Sequence, residues 1–515
     1  MNSNRVIKLK LLNMKNKLLM INSSFISISA AIIITLSGCS KILDKQPITQ
    51  TVSTQDSGTI SASQAEDAIA SVYTVFKGYE AGLEFLVFDG IVNGDVRADN
   101  CYAGGDNTAN ITLDNFNETS LNGNVARDWR DGYVIIGKTN LSIEQIQKCD
   151  DPALSDQRKN EMLGEARFIR AFTYFQLVRL YGRLPLFLKP ADTRTAETLL
   201  QSTLLPQSST DSVYLAILDD LWYAKGRVRN VSETPDRFTV STGAVFSTLA
   251  KVYATMEPHN WDSVLYYCNQ AIPDYSLVPD YSFLWDNNHK NNSEAIWEIN
   301  YFGYSSGDYI GNWIPSINVG GSVDNYEGGG WKKFNTPTND LVDSFQAEHD
   351  SIRLNNSITF LDITGQWTDP YWPANHYPFL TKYNDPANGT NDVYMIRLAD
   401  ILLLKAEALA HNGDLDGALD LVNQVRARVN LPPKSSSDQN EVLEIIANER
   451  RLELAFEGHR WFDLVRTGKA LEVMNSQKDG QGNPLNYNVQ PYQLIYPIPQ
   501  EQIDLNPFLT QNPGY

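Results

Sequence analysis

The chain has 515 residues, with 42 Lys and Arg against 61 Asp and Glu, so its net charge at neutral pH is −19. An acidic surface repels phosphate backbones, which argues against a nucleic-acid partner. Beyond Cys39 the chain has only Cys101, Cys149 and Cys268, far apart in sequence, so at most one disulfide can form and a disulfide framework is not indicated.

The N-terminal segment has the pattern of a secretory leader. Five basic residues precede an apolar stretch from Ile21 to Leu36, and no acidic residue occurs before Cys39. Polar residues interrupt that stretch, which falls short of the ~20 apolar residues of a membrane span. The sequence LSGC at residues 36–39 resembles the lipobox of bacterial lipoproteins, which implies cleavage before Cys39 and diacylglycerol on its sulfur. We predict a signal peptide over residues 1–38, with Met14 as an alternative start.

Cys39 is expected to anchor the protein through its lipid and to contribute nothing to folding. Cys39→Ala should therefore abolish acylation, whereas a shortened chain that starts near Gln46 should fold normally. Labelling with radioactive fatty acid and a thermal melt of the shortened chain measure the two effects. Radioactive lipid on the Cys39→Ala protein would contradict the prediction.

Removal of the leader leaves 477 residues with a net charge of −24, enough chain to bury a large core. Residues 39–60 are mostly polar and are predicted to tether the lipid to the folded body. We predict that residues 61–515 form a single domain. Its expected parts are a helical N-terminal part, a loop-rich part that binds ligand and a helical C-terminal part, at residues 61–272, 273–392 and 393–515.

Helical periodicity dominates from Ser61 onward. Three long stretches carry apolar residues at three- and four-residue spacing and end near a glycine or a polar turn, as amphipathic helices do. They are residues 61–78, 126–147 and 159–182.

The clearest helix pair is at residues 397–433. Gly413 suits the left-handed position after the first helix, and Asp414 suits the N-cap of the second. Antiparallel helices joined by a tight turn are the unit of tetratricopeptide-type repeats, and further candidate pairs lie at residues 125–181 and 241–272. Their irregular spacing predicts a mostly α-helical, tetratricopeptide-like scaffold with a long loop-rich insertion and short strands.

The insertion covers residues 273–392. Gly, Asn, Pro and aromatic residues replace the helical pattern there, apart from a short strand signal at residues 294–302. We interpret the stretch as mostly loops, and so long an insertion is usually functional.

The last long helical pattern, residues 441–468, places Glu449 and Glu453 inside its apolar stripe. A buried carboxylate without a partner costs several kcal/mol. We therefore predict structural ion pairs, rather than acid–base catalysis, with the arginines that are close in sequence: Arg450, Arg451, Arg460 and Arg466.

Several motifs resemble those of one family. NERRLELAFEGHRWFDLVRTG, at residues 448–468, resembles the closing helix motif of the SusD/RagB family of outer-membrane lipoproteins of Bacteroidetes. YPIPQEQIDLNPFLTQNPGY, at residues 496–515, resembles that family's C-terminal signature. The lipobox and four further stretches match in order, so the resemblance covers nearly the whole mature chain. These stretches are residues 164–186, 293–302, 338–358 and 395–409.

The resemblance implies a non-enzymatic, lipid-anchored protein of the outer membrane, exposed at the cell surface. It implies capture of an oligosaccharide or polysaccharide and its delivery to a SusC-like TonB-dependent transporter. From the charge and the residue spacing we expect no nucleic-acid partner and no metal, and we expect no cofactor. Residues 40–47 lack a dense acidic run, so surface export depends on the resemblance alone. Two alternatives stay open: the same architecture capturing peptides or another nutrient, and a helical-repeat scaffold that binds only proteins.

An enzyme is the other class to weigh. Residues 303–307 match the G-x-S-x-G nucleophile pattern, but Gly311 and Pro315 follow without a helical period, so the strand–turn–helix context is missing. The six histidines are scattered and no cysteines have ligand spacing, which disfavours a transition-metal site. Residues 414–417 lack the other ligands of a calcium loop and are better explained as a helix turn.

A glycan site needs aromatic rings for the C–H faces of sugars and polar side chains for their hydroxyls. Residues 301–331 contain seven aromatics, about twice the chain average, many beside Gly, Asn or Asp. The resemblance implies stacking rings from this region, and we predict ring faces from Trp331, Tyr326, Trp313, Tyr304 and Tyr309.

The resemblance also implies a contribution from an N-terminal loop, here residues 93–107. We predict Asp95, Arg97 and Asn100 as hydrogen-bond partners of the glycan, although Asp95 and Asp99 equally suit turn caps. A second aromatic cluster occurs at residues 365–378, where packing beneath a loop is an alternative to ligand contact for each ring.

Overall fold

The structure, a computed structural model, describes residues 59–515 except residue 106 and the segments 304–305, 307–334 and 384–388. Cys39, the predicted leader and almost all of the predicted tether therefore lie outside the described residues. The described residues belong to one structural unit, Gly58–Tyr515. Within it, no described helix has both the length and the apolar composition that a bilayer crossing requires.

The described part of the chain is mostly helical, as predicted. In chain order the α-helices are α1 Ala62–Lys77, α2 Asp89–Ile91, α3 Thr108–Asp114, α4 Gly123–Lys148, α5 Asp156–Tyr181, α6 Ala196–Thr203, α7 Thr210–Ala224, α8 Thr242–Tyr253, α9 Trp261–Ala271, α10 Asn339–Ala347, α11 Ser351–Ser357, α12 Leu398–His411, α13 Leu415–Arg428, α14 Gln439–Glu453, α15 Arg460–Arg466, α16 Ala470–Asn475 and α17 Gln500–Leu505. Two π-helical segments, Tyr79–Phe88 and Val92–Val96, flank α2.

The strands are short and pair in twos. They are β1 Cys101–Tyr102, β2 Ala295–Ile299, β3 Thr336–Pro337, β4 Ile358–Leu361, β5 Tyr377–Leu380 and β6 Val393–Arg397. Three antiparallel pairs form, β1 with β3, β2 with β6 and β4 with β5. Cys101, Cys149 and Cys268 are buried free thiols.

Helices α12 and α13 form the predicted pair. Gly413 has a φ of +87°, the left-handed conformation that ends α12. Asp414 caps α13 by accepting a hydrogen bond from the Gly417 amide at 3.0 Å. Ala406, Ala410 and Ala418 are fully buried and allow close approach of neighbouring helices. The helix-pair scaffold is thus confirmed, and a helix cap explains the acidic residues at 414–417.

Strand β2 joins the insertion to the helical core. The indole of Trp297 is fully buried and contacts the rings of Phe76 and Phe172, with centroids 5.1 and 4.9 Å away. Its Nε1 donates to the carbonyl of Phe238 at 2.8 Å. The insertion is also more regular than the sequence pattern suggests, since residues 336–361 form β3, α10, α11 and β4.

Residues 441–468 form two helices rather than the single predicted one. Helix α14 ends at Glu453, and the chain turns through Phe456 and Gly458, both at positive φ, before α15 begins. A Cβ on Gly458 would lie 2.7 Å from the carbonyl oxygen of Gly90, so this position requires glycine on two grounds. The turn therefore packs directly against the N-terminal helical stretch.

Glu449 and Glu453 are buried and ion-paired, but their partners come from other segments. Arg353 contacts Glu449 at 2.8 Å and Glu453 at 3.0 Å. The remaining contacts are Arg426 with Glu449 at 2.8 Å, Arg397 with Glu453 at 2.6 Å and Arg428 with Glu453. Burial alone would raise the pKa of Glu453, but its arginines outweigh burial and hold that pKa well below its ordinary value.

The arginines predicted as partners pair elsewhere, which corrects the prediction. Arg450 contacts Asp400 and Asp463, Arg451 contacts Asp99 and Asp340, Arg460 contacts Asp99, and Arg466 contacts Glu407 and Asp463. Successive side chains on a helix diverge by about 100°. Arg450 and Arg451 therefore face neighbours that Glu449 does not reach.

Candidate functional site

The five residues predicted to supply ring faces lie outside the described residues: Tyr304, Tyr309, Trp313, Tyr326 and Trp331. The described residue Phe302, just before them, has a relative exposure of 66%. The ammonium of Lys77 lies 5.2 Å from the centroid of that ring.

The predicted polar partners Asp95, Arg97 and Asn100 are buried. Asp95 accepts from the amide of Gly458 and, at 2.8 Å, from Nδ2 of Asn100, while Arg97 contacts Glu118 at 2.7 Å. Burial raises the pKa of Asp95 to about 6. These polar groups are bonded inside the protein, so the prediction that they touch a glycan is corrected: they support the chain that leads into β1.

Two rings of the second aromatic cluster, Tyr371 and Trp372, line a cavity of about 500 Å³. Its wall is the segment 368–374, which we call the cavity loop. Asn339 of α10 and the turn at residues 480–481 complete the lining. The side chains that matter chemically are Asn339, Thr368, Asp369, Tyr371, Trp372 and Gln481.

Asp369 fixes the cavity loop. Its Oδ1 accepts hydrogen bonds from the Tyr102 hydroxyl at 2.7 Å, the Tyr371 amide at 2.9 Å and the Trp372 amide at 3.2 Å. Asn339 donates from Nδ2 to the carbonyl of Tyr371 at 3.2 Å. The loop backbone is thus bonded from two sides before any ligand arrives.

The same contacts orient the rings. Tyr371 packs edge to face on Tyr102, with centroids 4.7 Å apart and an interplanar angle of 76°. Nε1 of Trp372 donates to the carbonyl of Pro337 at 2.9 Å, and its side chain is mostly buried. Tyr371 is half-buried, so part of its ring faces outward.

The electrostatics around the cavity are neutral to acidic. No Lys or Arg is among the described lining residues, and Asp369 is the carboxylate there. Behind the loop, burial raises the pKa of Asp114 to about 7, and the Ala103 amide donates to it at 3.0 Å. Across the described residues no group of three or more His, Cys, Asp or Glu side chains could hold a metal ion. The cavity therefore offers ring faces and uncharged polar groups.

Sequence reasoning noted the aromatic residues of the cavity loop but missed its partners. Tyr102 and Asp369 are 267 positions apart, and Asn339 lies between them on a helix that the sequence pattern did not reveal. The turn at residues 480–481 carried only a Gly-rich turn signal. Helical or strand periodicity describes residues within one element, so it cannot predict contacts between residues that are far apart in sequence.

Comparison with known proteins shows which family the chain resembles in sequence and fold. The family model described as SusD family matches residues 362–515, and the one described as starch-binding associating with outer membrane matches residues 43–254. SusD-like protein P38 of Formosa agariphila is 28% identical over 544 aligned positions, which cover 95% of this chain and 99% of that protein.

Solved structures show the same fold. A SusD superfamily protein from Bacteroides vulgatus superimposes with a TM-score of 0.73 at 24% identity, covering 88% of this chain and 99% of that one. A laminarin-binding SusD-like protein gives a TM-score of 0.68 at 25% identity, covering 88% of this chain and all of that one. Because the two family models together match residues 43–254 and 362–515, and the SusD-like relatives and the solved structures agree with them, the chain belongs to the SusD/RagB-like family.

Proposed function

We propose that this protein is a lipid-anchored glycan-binding protein of the outer membrane that passes an oligosaccharide or polysaccharide to a SusC-like TonB-dependent transporter. The observation that carries the glycan assignment is the cavity of about 500 Å³ beside a cavity loop held in place by Asp369. The relatives support it by name, since one family model is described as starch-binding and one solved relative as laminarin-binding.

The lining suits sugar chemistry. The outward part of the Tyr371 ring offers a face or edge to sugar C–H groups, and the amides of Asn339 and Gln481 can each donate to and accept from hydroxyls. Because the loop is already ordered, little conformational entropy is lost when a sugar docks. The ring faces predicted from Tyr304 to Trp331 lie outside the described residues and stay a prediction from the sequence.

A neutral glycan fits better than a sulfated or uronic one. The described cavity lining has a carboxylate and no cation, and the whole chain is acidic. A negatively charged glycan would be repelled by the Asp369 carboxylate, and the described lining has no cation to offset that repulsion.

A glycan array with the lipid-free chain tests the assignment. The array should include laminarin, starch fragments, other neutral glycans and their sulfated or uronic counterparts, beside a peptide library. We expect binding to a subset of neutral glycans, with the bound glycan recovered uncleaved. Binding to peptides alone would favour the alternative in which the protein captures peptides or another nutrient. Binding to neither glycans nor peptides would favour the alternative of a helical-repeat scaffold that binds only proteins.

Delivery to a transporter predicts a stable membrane complex. The native lipoprotein, extracted from the outer membrane in mild detergent, should co-purify with a TonB-dependent β-barrel protein. The family resemblance implies that the protein covers the transporter as a lid. Because that lid must open for substrate to enter, the contact should be extensive but partly polar. Recovery of the lipoprotein without a β-barrel partner in every mild detergent would count against delivery.

A further inference from the structure

The cavity is supported from behind by one side chain of the C-terminal motif. Arg451, on α14, is buried and donates four hydrogen bonds. Nε binds the Asn100 side chain at 3.0 Å, and Nη2 binds the Asp99 carbonyl at 2.9 Å. Nη2 also binds Asp340 at 2.6 Å, and Nη1 binds Ser344 at 3.1 Å. One guanidinium thus joins two separate segments, residues 99–100 and helix α10.

Each of these segments leads to a residue that is hydrogen-bonded to the cavity loop. Asn100 precedes β1, which ends at Tyr102, whose hydroxyl binds Asp369 of the cavity loop. Asp340 follows Asn339, which lines the cavity and donates to the Tyr371 carbonyl. Arg451 therefore contacts residues that lie two positions before Tyr102 and one position after Asn339, the two hydrogen-bonded supports of the loop.

A second set of hydrogen bonds joins the two segments directly to each other. The Thr338 amide donates to the Asn100 carbonyl at 3.0 Å, and its hydroxyl donates to the Asp99 carbonyl at 2.7 Å. Arg460 adds a bidentate contact to the Asp99 carboxylate, at 2.7 and 2.9 Å. Thr338 also caps α10, and Arg451 adds a second side chain that contacts both segments, in the fork geometry that only arginine provides.

From this arrangement we propose that Arg451 is a positioning residue of the ligand site, which holds Tyr102 and Asn339 in the places from which they fix the cavity loop. The inference rests on the proposed function only for what the site binds. The mechanical part, that Arg451 orders the cavity loop, stands on the contacts alone and is measured without a ligand.

Arg450 provides a matched control. It is the neighbouring residue on α14, equally buried and also in two ion pairs, with Asp400 and Asp463. Among the described residues, none of its hydrogen bonds or ion pairs involves residues 99–102, α10 or the cavity loop. Arg450→Met and Arg451→Met should therefore lower the melting temperature to a similar extent, while only Arg451→Met should loosen the cavity.

Hydrogen exchange measured by mass spectrometry reports the loosening. In Arg451→Met, we expect amide exchange to rise at least tenfold in peptides covering residues 98–104 and 368–374, with no such rise in Arg450→Met. Arg451→Lys should give an intermediate rise, because an ammonium cannot span both segments. If Arg451→Met does not fold, Asp340→Asn, which removes a partner at the protein surface, should still raise exchange in residues 368–374.

Laminarin and soluble starch are the binding probes. If wild type binds either one, Arg451→Met should weaken binding at least tenfold and Arg450→Met less than twofold. Unchanged exchange at residues 98–104 and 368–374 in Arg451→Met would overturn the positioning role, whatever the binding result. If exchange rises selectively in Arg451→Met but the wild-type protein binds no glycan, the positioning role is kept and the proposed function is rejected.

Discussion

Glu453→Ala should destabilise the protein by about 3–5 kcal/mol, the cost of removing one member of a buried ion-pair group. Glu453 has no measurable exposure and contacts Arg353 and Arg397 at 3.0 and 2.6 Å, and also Arg428. Its removal would leave guanidinium groups buried without their shared carboxylate. Glu453→Gln should lower the free energy of unfolding nearly as much. The substitution keeps the shape of the side chain but removes the negative charge that the buried arginines need. Chemical denaturation followed by circular dichroism measures the free energy of unfolding.

Glu472 is the control for this experiment. Its carboxylate is 72% exposed and contacts only Lys469 at 3.2 Å among the described residues. Glu472→Ala should change the free energy of unfolding by about 0–1 kcal/mol, as exposed ion pairs do. Equal effects of the two alanine variants would show that the buried group contributes no more than a surface pair.

The pH dependence of stability follows from the same contacts. The arginines hold the pKa of Glu453 well below its ordinary value in the folded chain. The folded state therefore binds this proton less tightly than the unfolded state does, so the stabilisation is present above about pH 4.3 and is lost as the pH falls below it. Between about pH 5 and pH 3, wild type should lose more stability than Glu453→Gln, and parallel curves would contradict this.

Loss of one stacking ring should weaken glycan binding several-fold to tenfold or more, with little change in the melting temperature. A ring contact contributes on the order of 1 kcal/mol beyond area burial. The variants are Trp331→Ala and Tyr326→Ala, from the predicted aromatic segment, and Tyr371→Ala, whose side chain lines the cavity. Affinity for the glycan identified on the array and the thermal melt are measured together.

Tyr266 is the control ring. It is 56% exposed on α9 and is not among the residues that line the cavity, so Tyr266→Ala should keep full affinity. If Trp331 is a core residue instead, Trp331→Ala should cost about 3–5 kcal/mol of stability and the melt should collapse. A collapsed melt, or unaltered affinity, would remove that residue from the site.

The helical scaffold could be predicted because its signals are local. Gly413 and Asp414 end one helix and begin the next through conformations that their own side chains favour, and the structure has both. The same holds for α1, whose N-cap Ser61 begins a regular apolar stripe. The family resemblance was likewise visible, because its motifs are contiguous stretches.

The candidate site could be predicted only in part. The aromatic composition of residues 365–378 was evident, but nothing in that stretch shows that Asp369 accepts a hydrogen bond from Tyr102. Asp95, Arg97 and Asn100 have polar groups that could bind sugar hydroxyls, yet folding buries all three. Asp95 bonds to Gly458, Arg97 to Glu118 and Asn100 to Arg451. The local sequence pattern of a loop does not show whether a polar side chain faces solvent or the interior.

The helix pairs, the predicted lipid-anchor motif, the acidic charge and the need for charge partners at Glu449 and Glu453 all follow from local sequence patterns. Which charges meet depends on how distant segments pack. Arg353, Arg397, Arg426 and Arg428 reach those carboxylates from distant segments, while Arg451 points away to Asn100 and Asp340. The physical reason is that helix periodicity states which residues share a face. Packing of the whole chain sets which other segment covers that face. The same packing brings Arg451 to the two segments that lead to the cavity loop.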